Sequence, residues 1–113
     1  MSEQSPTNVT SIYPVNTRIS FELEEAETLI DLFLKITRRS RTTVVNLKSR
    51  IQYFQGRKDK VSELQEQING EVQKWSEKVI KLGGVPVSLW KVRIPGVGEK
   101  DFVWEFPKNH FIN

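Results

Sequence analysis

The sequence predicts an α+β fold: a long antiparallel α-helical hairpin followed by a small antiparallel β-hairpin. Three observations carry this reading. Apolar residues recur at alternating spacings of three and four from Leu23 to Phe54. A second run of the same period extends from Val61 to Leu82, after a glycine-containing turn. In the last quarter of the chain the period falls to two, as in Trp90, Val92 and Ile94. Spacings near 3.5 mark helices that bury one stripe, and a spacing of two marks half-buried strands.

Met1 to Asn16 is rich in Ser, Thr, Asn and Pro, with only Val9, Ile12, Tyr13 and Val15 as larger apolar groups, and is expected to be a flexible lead-in. The single domain is expected over 17–113. Thr17 to Phe21 suggests a short extended stretch, with Phe21 placed as a hydrophobic staple facing Ala26. Glu22, Glu24, Glu25 and Glu27 then put negative charge where a helix dipole favours it.

The first helix is predicted over about 22–55. Its seam is Leu23, Ala26, Ile30, Phe33, Thr37, Ser40, Val44, Leu47, Ile51 and Phe54, and at ~1.5 Å per residue it is roughly 48 Å long. Thr37 and Ser40 interrupt the seam, and the β-branched run Thr42 to Val45 lowers helix propensity, so any bend is expected there. Gly56 ends the helix, and Arg57 to Lys60 forms a polar turn. The second helix, over about 60–82, carries Val61, Leu64, Ile68, Val72, Trp75, Val79 and Leu82, and a short turn makes it antiparallel to the first. Gly70 lies inside it, where close approach of another backbone is expected. Gly83-Gly84 and Pro86 stop it.

The β-hairpin is predicted over about 87–106. Val87 to Ile94 forms its first strand, Pro95 to Lys100 the loop, and Phe102, Trp104 and Phe106 alternate in the returning strand. Because a two-stranded ribbon is marginal alone, its aromatic face is expected to pack at the open end of the helices.

Composition limits the chemistry. A chain of 113 residues with 37% hydrophobic and 27% charged residues fits one compact domain and leaves no room for a second. The absence of Cys excludes disulfides and thiolate catalysis, and the single His110 excludes a multi-histidine metal site. No apolar run reaches the roughly 18 residues of a membrane span, and no export signal is visible, so a cytoplasmic location and no membrane association are expected.

Phe21 with Glu24-Glu25-Ala26, the segment Trp75 to Val92, and Phe102-Val103-Trp104-Glu105-Phe106-Pro107 resemble a bacterial group catalogued as domain-of-unknown-function family 2203. The resemblance covers Phe21 to about Pro107. Typical members have an Asp-Phe pair where this sequence has Arg93-Ile94 and a Cys where it has Val103, and continue into Trp-His and Gly-Arg motifs not found before Asn113. The resemblance therefore implies an architecture with a degenerate C-terminal motif, and brings no reaction with it.

Charge is the main candidate feature. Lys35, Arg38, Arg39, Arg41, Lys48, Arg50, Arg57, Lys58 and Lys60 are nine cations opposed within their segment only by Asp59. Such a half-hairpin can follow a phosphate backbone, so these residues are the candidate polyanion-binding set. Internal pairing competes with that reading, because Glu63 and Glu66 are expected beside Arg50 and its neighbours. Trp75, Trp90 and Trp104 are capable of stacking on bases, but their periodicity assigns them to the core joining helices to ribbon. Gly96-Val97-Gly98 lacks the downstream glycine and helix of a phosphate loop. His110 with Asp101 and Glu105 lacks a nucleophile at meaningful spacing.

No catalytic residue, metal site or cofactor is predicted. The first expectation is a non-enzymatic scaffold module that self-associates as a homodimer, in a four-helix arrangement, because two helices of unequal length should leave an apolar strip uncovered. Another protein is the other occupant of such a strip. The alternative is nucleic-acid or other polyanion binding through residues 35–60.

Overall fold

A computed structural model describes residues 20–98 and 100–113. It contains α1 (Leu23–Tyr53), α2 (Lys58–Lys81), β1 (Val85–Ser88), β2 (Lys91–Ile94) and β3 (Phe102–Glu105). The helices form a hairpin, and the strands form an antiparallel sheet of order β1-β2-β3. The α+β class, the helical hairpin and the β2–β3 hairpin agree with expectation. The expected lead-in over Met1 to Asn16, and the expected extended stretch as far as Ile19, lie outside the described residues.

At the start of α1, Glu25 Oε1 accepts a hydrogen bond from the Glu22 backbone N–H at 3.1 Å, satisfying a donor that the helix leaves open. Phe21 is buried, and its backbone is fastened at both ends: its N–H donates to Pro95 O at 2.8 Å and its carbonyl accepts from Val97 N at 3.0 Å. The helix therefore begins on the β2–β3 connection. It continues unbroken for 31 residues, so no break occurs at Thr37, Ser40 or the β-branched run. Instead Trp75 Nε1 donates to Thr37 Oγ1 at 2.8 Å, and Ser40 Oγ donates to Glu71 Oε2 at 2.9 Å. Thr37 and Ser40 form a satisfied polar layer between the helices, and tertiary packing overrides their low helix propensity.

Gly56 and Gly83 take positive φ values of 92° and 101° just beyond the ends of α1 and α2, a conformation that costs glycine little. Gly84 is enclosed: a Cβ there would lie 2.6 Å from Val92 Cγ1 and 3.1 Å from Phe33 Cζ. The close approach expected at Gly70 occurs at Gly84 instead, since a Cβ at Gly70 would meet nothing within 4 Å. Gly70 sits on the exposed side of α2, two residues beyond buried Ile68.

The main departure concerns the first strand. Val87 to Ile94 is not one strand but parts of two, β1 and β2, reversed through Leu89 and Trp90. No Gly, Asn or Asp marks this reversal, and Trp90 itself takes the left-handed conformation at φ 62°. Its indole is held edge-on against Trp75, with centroids 5.1 Å apart at 83°, which offsets the backbone strain. Pro86 falls on β1, an edge strand, where a missing N–H is tolerated.

One face of the sheet closes the open end of the hairpin. Val92, Ile94 and Trp104 are fully buried with Phe33, Ile36, Trp75 and Val79 in one core cluster. A second cluster toward the helix–helix turn contains Val44, Leu47, Leu64 and Ile68, and half-buried Trp90 packs against both. Leu29 and Ile36 are buried although they lie off the seam, because the sheet covers the flank of α1 as well. At the other edge, Ile112 N–H donates to Val103 O at 2.9 Å, and Asn113 Oδ1 accepts from Val103 N at 3.0 Å. The chain after β3 thus lies along its outer edge.

The apolar strip expected along the seam is not exposed. Seam positions from Ala26 to Leu47 are buried within one chain, because the sheet covers the N-terminal half of α1 and α2 covers the rest. The seam's first residue, Leu23, is about half exposed.

Candidate polyanion-binding face

From Leu32 to Lys58 the sequence contains no acidic residue. A helix repeats every 3.6 residues, so Lys35, Arg38, Arg39 and Thr42 fall on one side of α1, opposite the buried seam. There Lys35, Arg38, Arg39, Thr42 and Thr43 line an open groove of about 520 Å³. The three cations are exposed, and the Thr43 hydroxyl donates back to Arg39 O at 3.3 Å.

The nine cations do not form one continuous patch. Arg41 turns to the flank of α1, its guanidinium 5.7 Å from the centroid of the Phe106 ring. Lys48 and Arg50 are exposed further along the helix. Lys58 lines a second groove of about 560 Å³ at the turn, with Gln55, Gly56, Val61, Ser62, Gln65 and Glu66. Arg57 is exposed beside it, and Lys60 lies 5.8 Å from the centroid of the Phe54 ring.

Internal pairing consumes little of this charge. Lys60 alone of the nine makes an ion pair among the described residues, with Glu63 at 3.7 Å. Arg50 does not meet Glu63 or Glu66 as expected, because Glu63 is held one turn away on its own helix and Glu66 faces the groove beside Lys58. Among the described residues the exposed cations thus meet no acidic partner, and a contact of theirs with an external anion would be screened as salt rises.

Other candidate groups are occupied structurally. Trp75 and Trp104 are buried, and Trp104 Nε1 donates to Lys108 O at 2.7 Å. Asp101 accepts from Arg93 Nη1 at 2.9 Å and from Gly96 N–H at 3.3 Å, which shapes the β2–β3 connection. His110 is exposed, with Nδ1 3.0 Å from Phe111 O. Among the described residues, no group of three or more Asp, Glu or His is placed to hold a metal ion. No helix among them is long and apolar enough to cross a membrane.

Two features of this face were not singled out from the sequence. Thr42 and Thr43 complete the groove, and their position one turn after Arg38 and Arg39 was the available signal. Comparison of the chain with protein-family models, with curated proteins and with solved structures gives no match.

Proposed function

We propose that this chain is a non-enzymatic binding module that engages phosphate-bearing polymers through the outward face of α1. The observation supporting this reading is the groove lined by Lys35, Arg38, Arg39, Thr42 and Thr43, whose three cations have no acidic partner among the described residues. Cations spaced by one helical turn match a repeating anion better than a single carboxylate. Fluorescence anisotropy against a polyphosphate or oligonucleotide tests it. Lys35→Gln/Arg38→Gln/Arg39→Gln should weaken binding and make the slope of log K against log salt shallower by about 2 to 3. A charge-matched set away from that face, Lys74→Gln/Lys81→Gln/Lys108→Gln, should change both far less. Equal losses from the two sets would reduce the reading to nonspecific attraction.

A second reading, self-association, is favoured by a different surface. Val72, Trp75, Ser76, Pro86, Val87, Ser88 and Leu89 line a groove of about 310 Å³ between α2 and β1. Ile80, one turn beyond Ser76, is 58% exposed, and Val87 and Leu89 are nearly half exposed. A dimer built there would lose mass in light scattering on Ile80→Glu or Leu89→Glu. A monomeric wild type at tens of micromolar removes this reading.

A further inference from the structure

The outward face of α1 ends in an aromatic residue that the fold does not use. Tyr53, the last residue of the helix, is 82% exposed, the largest exposure among the exposed large hydrophobic side chains of the described residues. At 100° per residue it lies on the same side as Lys35, Thr42 and Asn46. Asn46, Ser49 and Arg50 are exposed between groove and ring. The ring is not loose, because Phe54 meets it edge-on at 5.0 Å and 88°, and Phe54 packs against the second core cluster. Such an edge-on brace leaves a face of the phenol open to solvent.

We propose that this face binds single-stranded nucleic acid, its phosphates along Lys35, Arg38, Arg39 and Arg50 and a base stacked on Tyr53. The proposal rests on the polyanion reading above and names the polymer. A cationic track combined with an exposed aromatic platform is what strand binding requires, because every unpaired base offers a π face whereas a duplex hides its bases in the stack. From Lys35 to Tyr53 the helix rises roughly 27 Å at ~1.5 Å per residue, the length of about eight nucleotides at the ~3.4 Å spacing of a stacked strand. An anion without bases, such as polyphosphate, would use the cations and leave Tyr53 idle.

The test measures anisotropy of a labelled ten-nucleotide oligo(dT), an abasic strand of equal length and charge, and a ten-base-pair duplex. The expected result is tighter binding to oligo(dT) than to the abasic strand or the duplex. Tyr53→Ala should weaken oligo(dT) binding roughly 5- to 150-fold, leave the abasic strand unchanged, and be rescued by Tyr53→Phe. The abasic comparison on the unaltered protein needs no variant, so it stands even if a substitution perturbs folding. Equal binding of oligo(dT) and abasic strand, with both weakened by Lys35→Gln/Arg38→Gln/Arg39→Gln, overturns the base-stacking proposal and leaves polyanion binding standing. Tighter binding to the duplex overturns it as well. No binding to any of the three probes overturns both readings.

Discussion

The indole nitrogen of Trp75 on α2 donates a 2.8 Å hydrogen bond to the hydroxyl of Thr37 on α1, and both side chains are buried at the middle of the hairpin. About one turn along α1, Ser40 donates to Glu71. The two bonds link the helices where the seam turns polar.

Thr37→Val keeps the side-chain shape and leaves the Trp75 N–H without an acceptor in a closed interior. It should destabilise the protein by about 1–3 kcal/mol in urea denaturation. Ser40→Ala should cost less, about 1 kcal/mol, because half-buried Glu71 still reaches water. Equal losses would mean that burial does not set the cost.

How far the sequence discloses this molecule depends on which contacts are local. The helices are visible because their spacing and their ending glycines, Gly56 and Gly83, are properties of adjacent residues. The reversal at Leu89-Trp90 is not, since Trp90 continues the two-residue alternation of Val92 and Ile94, and its left-handed backbone goes with long-range packing on Trp75 and on both core clusters. The covering of the seam is equally invisible, because it depends on where the sheet docks. The cationic set is legible as a list, and the helical turn alone carries Arg41 away from Arg39, whereas its seat over the Phe106 ring depends on where the sheet docks.

The two glycines of α2 and its end should respond in opposite directions. Gly84→Ala forces a methyl against Val92 and Phe33, and about 1–3 kcal/mol should be lost. Gly70→Ala adds a methyl in open space inside a helix and should stabilise by about 0.5–1 kcal/mol. Thermal melts of the two variants check the signs, which coincide only if the enclosure at Gly84 relaxes freely.

Trp90 separates backbone strain from side-chain packing. Trp90→Ala loses the contact with Trp75 and keeps the left-handed φ, whereas Trp90→Gly loses the same contact and relieves the φ. Trp90→Gly should therefore be the more stable variant, by about 1 kcal/mol, against the usual preference for Ala over Gly. Guanidinium titrations in which Ala is the more stable would show that the backbone there is not strained.

Asp101→Asn should leave nucleic-acid or polyphosphate binding unchanged, because Asp101 engages Arg93 and Gly96 at the sheet and not the α1 face. Both partners of the Arg93 pair are about 40% exposed, so the loss in stability should stay within about 1 kcal/mol. A marked rise in affinity would place Arg93 in the binding surface.

The two core clusters differ in size: among the described residues, twelve buried ones hold the end with the sheet, and four hold the end with the turn. The hairpin tip thus has the smaller core, and its amides should exchange with solvent before those at the sheet end. Tyr53, Arg57 and Lys58 lie on that tip, while Lys35, Arg38 and Arg39 lie beside the larger cluster. A polymer laid from one to the other would splint the breathing tip to the rigid base, and slower exchange at the turn would record its arrival.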